Sequence, residues 1–312
     1  MDVSVIIVTR NTCALTRLAV QSVQDSSGSL TKEIFVVDNG STDETPSALP
    51  AEFPKLKLIR SETNLGFARA CNLAARQASG EFLLLLNSDA RPQPDALARA
   101  VAWLRANSDC AVAGGQLLNP GGSRQNSIAN FPTLATQLMN KSLLRRLRPK
   151  KFPGKEQIFA APIEVESIVG AFMLVRKLVW DALGGLDERF FFFFEETDFC
   201  LRARRARWKI IHLPDVLVEH GQGKTAGQIP SGARIEYWRS RGIYFAKNHS
   251  PFARRFLAAG LMVRLVFDLL AASVLTVVTL GKNSRWQNRR RVCAALFSWH
   301  LRGCPAKDGL PR

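Results

Sequence analysis

The chain has 312 residues, 46% of them hydrophobic and 22% charged. That is enough apolar material for one large core or two small ones, and it excludes a disordered or collagen-like chain. The formal net charge of +17 is unevenly placed: residues 1–100 carry 10 Lys/Arg against 11 Asp/Glu, and residues 101–312 carry 33 against 15. Such a basic body attracts nucleic acid, an anionic membrane or a phosphate-bearing substrate, and charge alone does not choose among them. The six cysteines, at 13, 71, 110, 200, 293 and 304, make no CxxC pair, so metal-ligand spacing and a short disulfide framework are both absent. Met1-Asp2-Val3-Ser4 has no positive n-region and runs into an apolar stretch, so we expect no secretory signal and a cytoplasmic body.

Val3 to Thr9 reads as a buried parallel strand, and Leu15, Leu18, Ala19, Val20 and Val23 then repeat at helical spacing. Strands are expected again at Glu33–Val37, Leu56–Arg60, Glu81–Leu86 and Ala111–Leu117. Helices are expected at 67–78 and 94–107, the second opened by Pro92 and Pro94. This alternation predicts an α/β fold with a mostly parallel sheet flanked by helices. Polar residues gather at the strand ends: Thr9 and Asn11, Asp38 to Asp43, and Asn87 to Asp89. That edge is where open α/β sheets bind ligands.

Periodicity weakens between Leu118 and Pro162, where 139–148 suggests a small amphipathic helix with a basic cluster. A strand pair is expected over 164–176 with Gly170 at a tight point, then a short helix at 178–183. Five consecutive phenylalanines, Phe190 to Phe194, precede Glu195-Glu196-Thr197-Asp198; a helix is expected over 198–207 and a strand over 208–213. We expect some of the five rings to pack the core and others to wall a pocket. From Ser231 onward the chain reads as helical, first at 235–248. The apolar stretch 256–280 is interrupted by Arg264 and Asp268, leaving a clean core of 12 residues, Leu269–Leu280. Spanning a bilayer takes about 20 residues, so an amphipathic segment on a membrane surface is expected. The tail 282–312 has eight Lys/Arg against one acid, which fits interfacial anchoring of 256–312.

Several residues are candidates for chemistry. Asp38, followed by Asn39-Gly40-Ser41, is placed to accept hydrogen bonds from a nucleotide; the same residues also make a good turn and cap. No GxGxxG follows the first strand, and no GxxxxGK[ST] occurs. Asp89 follows the most apolar strand and suits Mg²⁺ or Mn²⁺ bridging a diphosphate, its other possible role being a helix cap. Asn87 would position a loop or ligand. Glu195, Glu196 and Asp198 are three acids beside an apolar wall, which raises carboxyl pKa values and suits a general base; spacing does not say which takes the proton. His220, before Gly221 and Gly223, can reach a metal or phosphate, and Lys224 adds a charge for phosphate. Aromatic and basic residues do not interleave as in an RNA-binding strand pair, so no nucleic-acid partner is expected.

Taken together these segments resemble the inverting glycosyltransferases of family 2, with the A-type fold, and within them the rhamnosyltransferase-like branch. The resemblance rests on V-S-V-I-I-V-T-R-N at 3–11, E-I-F-V-V-D-N-G-S-T-D at 33–43, N-L-G-F-A-R-A-C-N at 64–72 and G-E-F-L-L-L-L-N-S-D at 80–89. It continues with G-A-F-M-L-V-R at 170–176, L-D-E-R-F-F at 186–191, E-E-T-D-F-C-L-R at 195–202 and E-H-G at 219–221. It implies a catalytic domain over 1–230, with a nucleotide-sugar half 1–117 and an acceptor half 118–230, and a helical basic extension over 231–312.

The resemblance implies a nucleotide-sugar donor and Mg²⁺ or Mn²⁺. Thr9, Asn11, Asp38 and Asn39 would line the nucleotide site, and Asn64, Gly66 and Arg69 would approach the nucleotide or its diphosphate. Asp89 and His220 match metal-associated positions. Glu196 matches the base, with Glu195 as the alternative. Gly170, Ala171, Asp187, Glu188, Asp198 and Lys224 fall on the acceptor side or in its loops. Three positions depart from the family pattern: Asn87-Ser88-Asp89 lacks the first acid of an Asp-x-Asp, Glu196 stands where Asp is commoner, and Glu219 where a second His is frequent. The implied reaction is one in-line displacement with inversion. The branch commonly takes dTDP-L-rhamnose to a lipid-diphosphate-linked saccharide of O-antigen or other envelope polysaccharide. A UDP-hexose or UDP-N-acetylhexosamine donor and an inactive scaffold are the alternatives.

Overall fold

The structure, a computed structural model, describes residues 1–149, 151–154, 157–221 and 229–312. Contacts divide the chain into two units, Met1–Phe131 with Leu144–Thr225, and Pro132–Leu143 with Ala226–Arg312. Residues 132–143 thus group with the C-terminal helices.

In chain order the first elements are β1 (Val3–Thr9), α1 (Cys13–Gln24), β2 (Lys32–Asn39), α2 (Thr45–Glu52), β3 (Lys57–Ser61), α3 (Phe67–Ala75) and β4 (Phe82–Asn87). Then come β5 (Ala90–Pro92), α4 (Ala96–Ala106), β6 (Cys110–Leu118), β7 (Ile128–Ala129), α5 (Leu134–Leu138) and α6 (Lys141–Leu147). They are followed by β8 (Ile163–Glu164), β9 (Ser167–Ile168), β10 (Phe172–Arg176), α7 (Lys177–Ala182), α8 (Glu195–Arg205) and β11 (Lys209–His220). Three helices close the chain: α9 (Pro230–Asn248), α10 (Pro251–Val278) and α11 (Ser284–Leu301).

Among the described residues nine strands form one sheet, ordered β3-β2-β1-β4-β10-β6-β11-β5 with β8 on β11. Strands β1 to β4 run parallel, and β10 enters antiparallel between β4 and β6. Both faces are covered, so the strands read as continuous apolar runs. Val3, Val5, Ile7, Leu84 and Leu86 pack on one face with α1 and α4; Ile6, Leu83, Leu85, Met173 and Val175 pack on the other with α3 and α8. The period of two within each strand makes this division.

Four sequence expectations change. Helix α2 was not expected, because Pro46 and Pro50 hide a helix whose buried residues are only Thr45 and Leu49. The expected strand pair over 164–176 is three strands with other partners: β8 pairs β11, β9 pairs β7, and β10 pairs β4 and β6. Helix α8 begins at Glu195, not Asp198, which puts all three acids in its first turn. Strand β11 runs to His220, with a break in register against β6 between Leu213 and Leu217. Gly114-Gly115 makes room for these neighbours: a Cβ on Gly114 would lie 2.8 Å from Ile168, and one on Gly115 would lie 2.5 Å from the Val216 carbonyl.

In the second unit, Ile235, Leu265, Cys293, Leu296 and Trp299 form the shared core of α9, α10 and α11. Helix α10 is longer than the 12-residue apolar core suggested. It has 28 residues and is long and apolar enough, by length and composition, to cross a membrane. Leu257, Leu261 and Leu265 face inward, while Phe252, Phe256, Val263, Phe267, Leu270, Val274 and Val277 are exposed.

Candidate active site

Parallel pairing puts the C-terminal ends of β1, β2 and β4 side by side, with Thr9 opposite Asp38 and Val8 opposite Asn87. Asp38 is fully buried; its Oδ1 accepts the Ser41 N–H at 3.0 Å, while Oδ2 is buried with no hydrogen-bond donor among the described residues. A carboxylate oxygen left this way at a ligand-binding edge is a ready acceptor. Asn11, in the left-handed region (φ 52°), accepts the Thr42 N–H on its Oδ1 at 2.7 Å, and its own N–H donates to Ser41 Oγ at 2.9 Å. The loops after β1 and β2 are thereby tied together. Asp43 accepts the Cys13 N–H at 3.1 Å and caps α1 from the neighbouring loop.

Thr9 is buried, and its hydroxyl lies 2.9 Å from Thr12 Oγ1 and 2.7 Å from Thr16 Oγ1, so it is engaged inside the protein. Asn39 and Asn64 shape the next loop. Asn39 Nδ2 donates to Asn64 Oδ1 at 2.8 Å and to the Gly66 carbonyl at 3.1 Å, and the Leu65 N–H donates to Asn39 Oδ1 at 2.8 Å. Gly66 has φ +79°, and a Cβ there would stand 2.4 Å from the Phe191 carbonyl. The next residue, Phe67, donates its N–H to that carbonyl at 2.7 Å. Arg69, on α3, is exposed.

At the end of β4, Asp89 Oδ1 stands 3.4 Å from His220 Nε2, and both side chains are only 8% exposed. Asn87 Nδ2 lies 3.4 Å from the same Nε2. Strand β5 returns antiparallel to β11, placing His220 opposite Ala90 and Glu219 opposite Arg91. Glu219 therefore projects from the other face and forms an ion pair with Arg91. His220 Nδ1 is 2.9 Å from Gln125 Oε1, and Gln125 is buried.

The acids of α8 separate into different roles. Two consecutive left-handed residues, Phe193 (φ 71°) and Phe194 (φ 72°), turn the chain into the helix. Each costs about 1–2 kcal/mol for a residue with a Cβ, and such strain clusters at functional sites. Burial pushes the Glu196 carboxyl above its ordinary value, although the N–H groups of Glu196 and Thr197 pull the other way. Its Oε2 is buried with no hydrogen-bond partner among the described residues. Glu195 is 5% exposed. Asp198 is fully buried and pairs with Arg202 at 2.8 Å, and Arg202 also donates to the Leu183 and Gly185 carbonyls. That pair holds the turn before the phenylalanine run.

The start of β10 joins the two groups. A Cβ on Gly170 would lie 3.5 Å from Glu196 Cβ and Cγ, and the Ala171 carbonyl accepts the Asn87 N–H at 3.1 Å. Asp187 accepts from Arg189 at 2.7 Å, and Glu188 from Asn72 Nδ2 at 3.0 Å. Asn72 also exchanges two hydrogen bonds with the Leu186 backbone. Phe190, Phe191 and Phe194 are buried, while Phe192 is half-buried and meets Phe67 edge-on. Lys224 lies outside the described residues.

Asp43, at the end of the expected polar cluster 38–43, is the cap that the sequence offered. Sequence reasoning passed over Gln125, Asn72 and Arg10. The Arg10 Nε is buried at the end of β1 with no acceptor among the described residues. The first two act on backbone or on another side chain across long separations, which no local pattern signals.

Among the described residues no group of three His, Cys, Asp or Glu could hold a metal. Asp89 and His220 do fit one as a pair. Cis ligands at about 2.1 Å from an octahedral ion stand about 3 Å apart, and Mg²⁺ takes its remaining ligands from phosphate and water. At 3.4 Å the two donor atoms are too far apart for a charge-assisted hydrogen bond.

The chain resembles known proteins along most of its length. It is 28% identical over 240 residues to the N-acetylglucosaminyl-diphospho-decaprenol L-rhamnosyltransferase of Mycobacterium tuberculosis, covering 71% of this chain and 76% of that one. It is 24% identical over 275 residues to the dTDP-rhamnosyl transferase RfbF of Shigella flexneri, covering 84% of each. The fold matches the mannosyltransferase PcManGT of Pyrobaculum calidifontis, solved with GDP-Man and Mn²⁺. The TM-score there is 0.58 at 20% identity, covering 98% of this chain and 88% of that one. It also matches S. aureus TarS 1–349 in complex with UDP-GlcNAc, with TM-score 0.54 at 19% identity, covering 98% and 82%. The sheet is thus the A-type glycosyltransferase fold. Rhamnosyltransferases are among the chain's relatives; the family model for glycosyl transferase family 2 matches residues 4–183, more than half of the chain, and the protein belongs to that family.

Proposed function

We propose that this glycosyltransferase transfers L-rhamnose, with inversion, from dTDP-L-rhamnose to a lipid-linked saccharide in envelope polysaccharide synthesis of the O-antigen type. The mycobacterial and Shigella relatives, both rhamnosyltransferases, support the sugar, and the first of them supports a lipid-diphosphate acceptor. The observation that carries the transfer chemistry is the link through β10, which sets Glu196 beside Gly170 and ties Asn87, two residues before Asp89, to Ala171.

Asp38, whose buried Oδ2 has no donor among the described residues, accepts a hydrogen bond from the nucleotide base or ribose, and the Asn39–Asn64–Gly66 loop shapes the wall beside it. Asp89 and His220 would hold Mg²⁺ or Mn²⁺. Bound there, the ion supplies charge neutralisation for the departing diphosphate. Glu196 takes the proton from the acceptor hydroxyl; burial raises its pKa and so makes it a stronger base than an exposed carboxylate. The acceptor oxygen then bonds to the anomeric carbon as the bond to the diphosphate oxygen breaks on the opposite side.

Helix α10 supports attachment to the inner face of the cytoplasmic membrane. Its exposed Phe256, Val263, Phe267, Leu270, Val274 and Val277 suit an apolar medium, and the Arg289-Arg290-Arg291 run on α11 adds attraction to anionic lipid. Arg264 and Asp268 within α10 favour a peripheral position over a spanning one.

The test is a donor panel. Purified protein with a polyprenyl-diphosphate-linked N-acetylglucosamine acceptor is given Mg²⁺ or Mn²⁺ and dTDP-, UDP- and GDP-sugars. Acceptor-dependent dTDP release from dTDP-rhamnose is expected. Release from a UDP-hexose alone would discard rhamnose, and no release from any donor by folded protein would favour an inactive scaffold.

A further inference from the structure

We propose that Gln125 is a positioning residue that fixes the tautomer of His220. It holds the proton on Nδ1 and leaves the Nε2 lone pair directed at the Asp89 side of the site. This rests on the reading of Asp89 and His220 as the metal-binding pair.

The argument is one of donors and acceptors. Gln125 lies on the return from β6, where its N–H donates to the Leu117 carbonyl at 2.8 Å. Its side-chain nitrogen sits 2.7 Å from the His220 backbone carbonyl and 2.8 Å from Asn119 Oδ1. A backbone carbonyl only accepts, so the atom facing it must be Nε2, and the amide cannot be flipped without setting two acceptors against each other. Gln125 Oε1 is then the atom 2.9 Å from His220 Nδ1. An amide oxygen only accepts, so Nδ1 must carry a hydrogen. In a neutral imidazole the other nitrogen is then bare, and that nitrogen is the one 3.4 Å from Asp89 Oδ1.

Both members of this contact are buried, Gln125 at 6% exposure and His220 at 6%, so water does not compete for Nδ1. A free neutral imidazole in water prefers its proton on Nε2, so the lock works against the intrinsic preference. Gln125 grips His220 twice, through the ring and through its carbonyl, and therefore fixes the side chain relative to its own strand. A hydrogen bond to the non-ligating nitrogen is how metal-binding histidines are oriented, and its loss costs about 10–100-fold in metal affinity. With a carboxylate oxygen and an imidazole lone pair facing each other, the pair is arranged to receive a cation.

The experiment has two readouts on the full chain. In metal-free protein labelled with ¹⁵N-histidine, at a pH where imidazole is neutral, long-range ¹H–¹⁵N spectra report which nitrogen of His220 is protonated; His220→Ala assigns the signal. Mn²⁺ affinity is measured by electron paramagnetic resonance in the presence of dTDP or UDP. Wild type is expected to show the Nδ1–H tautomer. Gln125→Leu is expected to shift toward Nε2–H and to bind Mn²⁺ about 10–100-fold more weakly. Gln125→Glu, which still accepts from Nδ1–H, is expected to restore the tautomer and most of the affinity.

A wild-type His220 protonated on Nε2 would overturn the proposal, and so would Gln125→Leu with unchanged tautomer and affinity. Should Gln125→Leu fail to fold, the wild-type tautomer and the Gln125→Glu protein decide. Unchanged Mn²⁺ affinity in Asp89→Ala would remove the metal reading instead, and the tautomer comparison would still stand or fall separately.

Discussion

Asp89 and His220 come from segments 131 residues apart and meet with Oδ1 and Nε2 3.4 Å from each other, both almost fully buried. The antiparallel return of β5 onto β11 makes the meeting, since Ala90, next to Asp89, pairs directly with His220. If the pair holds the ion that neutralises the leaving diphosphate, removing either side chain lowers kcat. Asp89→Ala and His220→Ala are each expected to cost about 10²–10³-fold in turnover while far-UV circular dichroism stays native. EDTA is expected to stop wild-type turnover and Mn²⁺ to restore it. Near-wild-type turnover in both variants would remove the pair from the mechanism.

Glu196 carries the prediction for pH. Its folded pKa is raised from the ordinary 4.5 by burial. A base must be ionised, so kcat/KM is expected to rise with pH through that raised value. For stability the sign is opposite. The folded protein holds the proton more tightly than the unfolded chain, so the contribution of this one group is full below about pH 4.5 and is lost as pH rises through its folded pKa. Glu196→Gln removes this loss. It is expected to lower kcat about 10²–10⁴-fold and to leave the melting temperature at neutral pH equal or higher. Unchanged kcat would reassign the base.

His212 predicts the acid side. It is 1% exposed and packs edge-on to Phe159. Burial, reinforced by Arg124, lowers its pKa from 6.5 to about 4. The unfolded chain binds the proton first, so stability present above pH 6.5 is lost as pH falls through the window down to about 4. The loss amounts to roughly 3 kcal/mol at most. Urea titrations at a series of pH values are expected to show this slope in wild type, and a flatter one in His212→Leu. Parallel curves would show that His212 does not drive it.

Gly66 and Gly122 make a matched pair. Both have positive φ, +79° and +78°, but a Cβ on Gly66 meets the Phe191 carbonyl at 2.4 Å, and one on Gly122 meets nothing within 4 Å among the described residues. Gly122→Ala is expected to cost about 1 kcal/mol, the conformational penalty alone. Gly66→Ala is expected to cost more than about 2 kcal/mol, because it displaces the segment leading into α8, and to reduce activity as well. Equal chemical-denaturation midpoints for the two variants would contradict this.

Much of the sheet was legible because β1, β2 and β4 are buried on both faces and read as unbroken apolar runs. The strand-end polar clusters followed from the same pattern, since a chain leaving a parallel sheet must satisfy its polar groups at that edge. Helix α2 was not legible, because two prolines and no apolar stripe conceal it. The start of α8 was misplaced by three residues because two left-handed phenylalanines, not a capping side chain, set its entry. Asp198 stands four residues before Arg202, a spacing that offers an ion pair on one helix face, and the structure makes that pair, leaving Asp198 a brace. Glu219 looked like a departure in a metal-binding stretch, yet its side chain points away toward Arg91. Gln125 left no trace in the sequence, since its partner lies 95 residues away.

The central claim is that Glu196 and the Asp89–His220 pair act from opposite sides of one anomeric carbon in a single displacement. The most direct measurement is the anomeric configuration of the isolated product, read from its one-bond carbon–proton coupling after transfer from a donor of defined anomer. The account predicts inversion in every product molecule, with no covalent glycosyl-enzyme detected by intact-protein mass spectrometry. Retention of configuration, or a trapped glycosyl-enzyme, would contradict it.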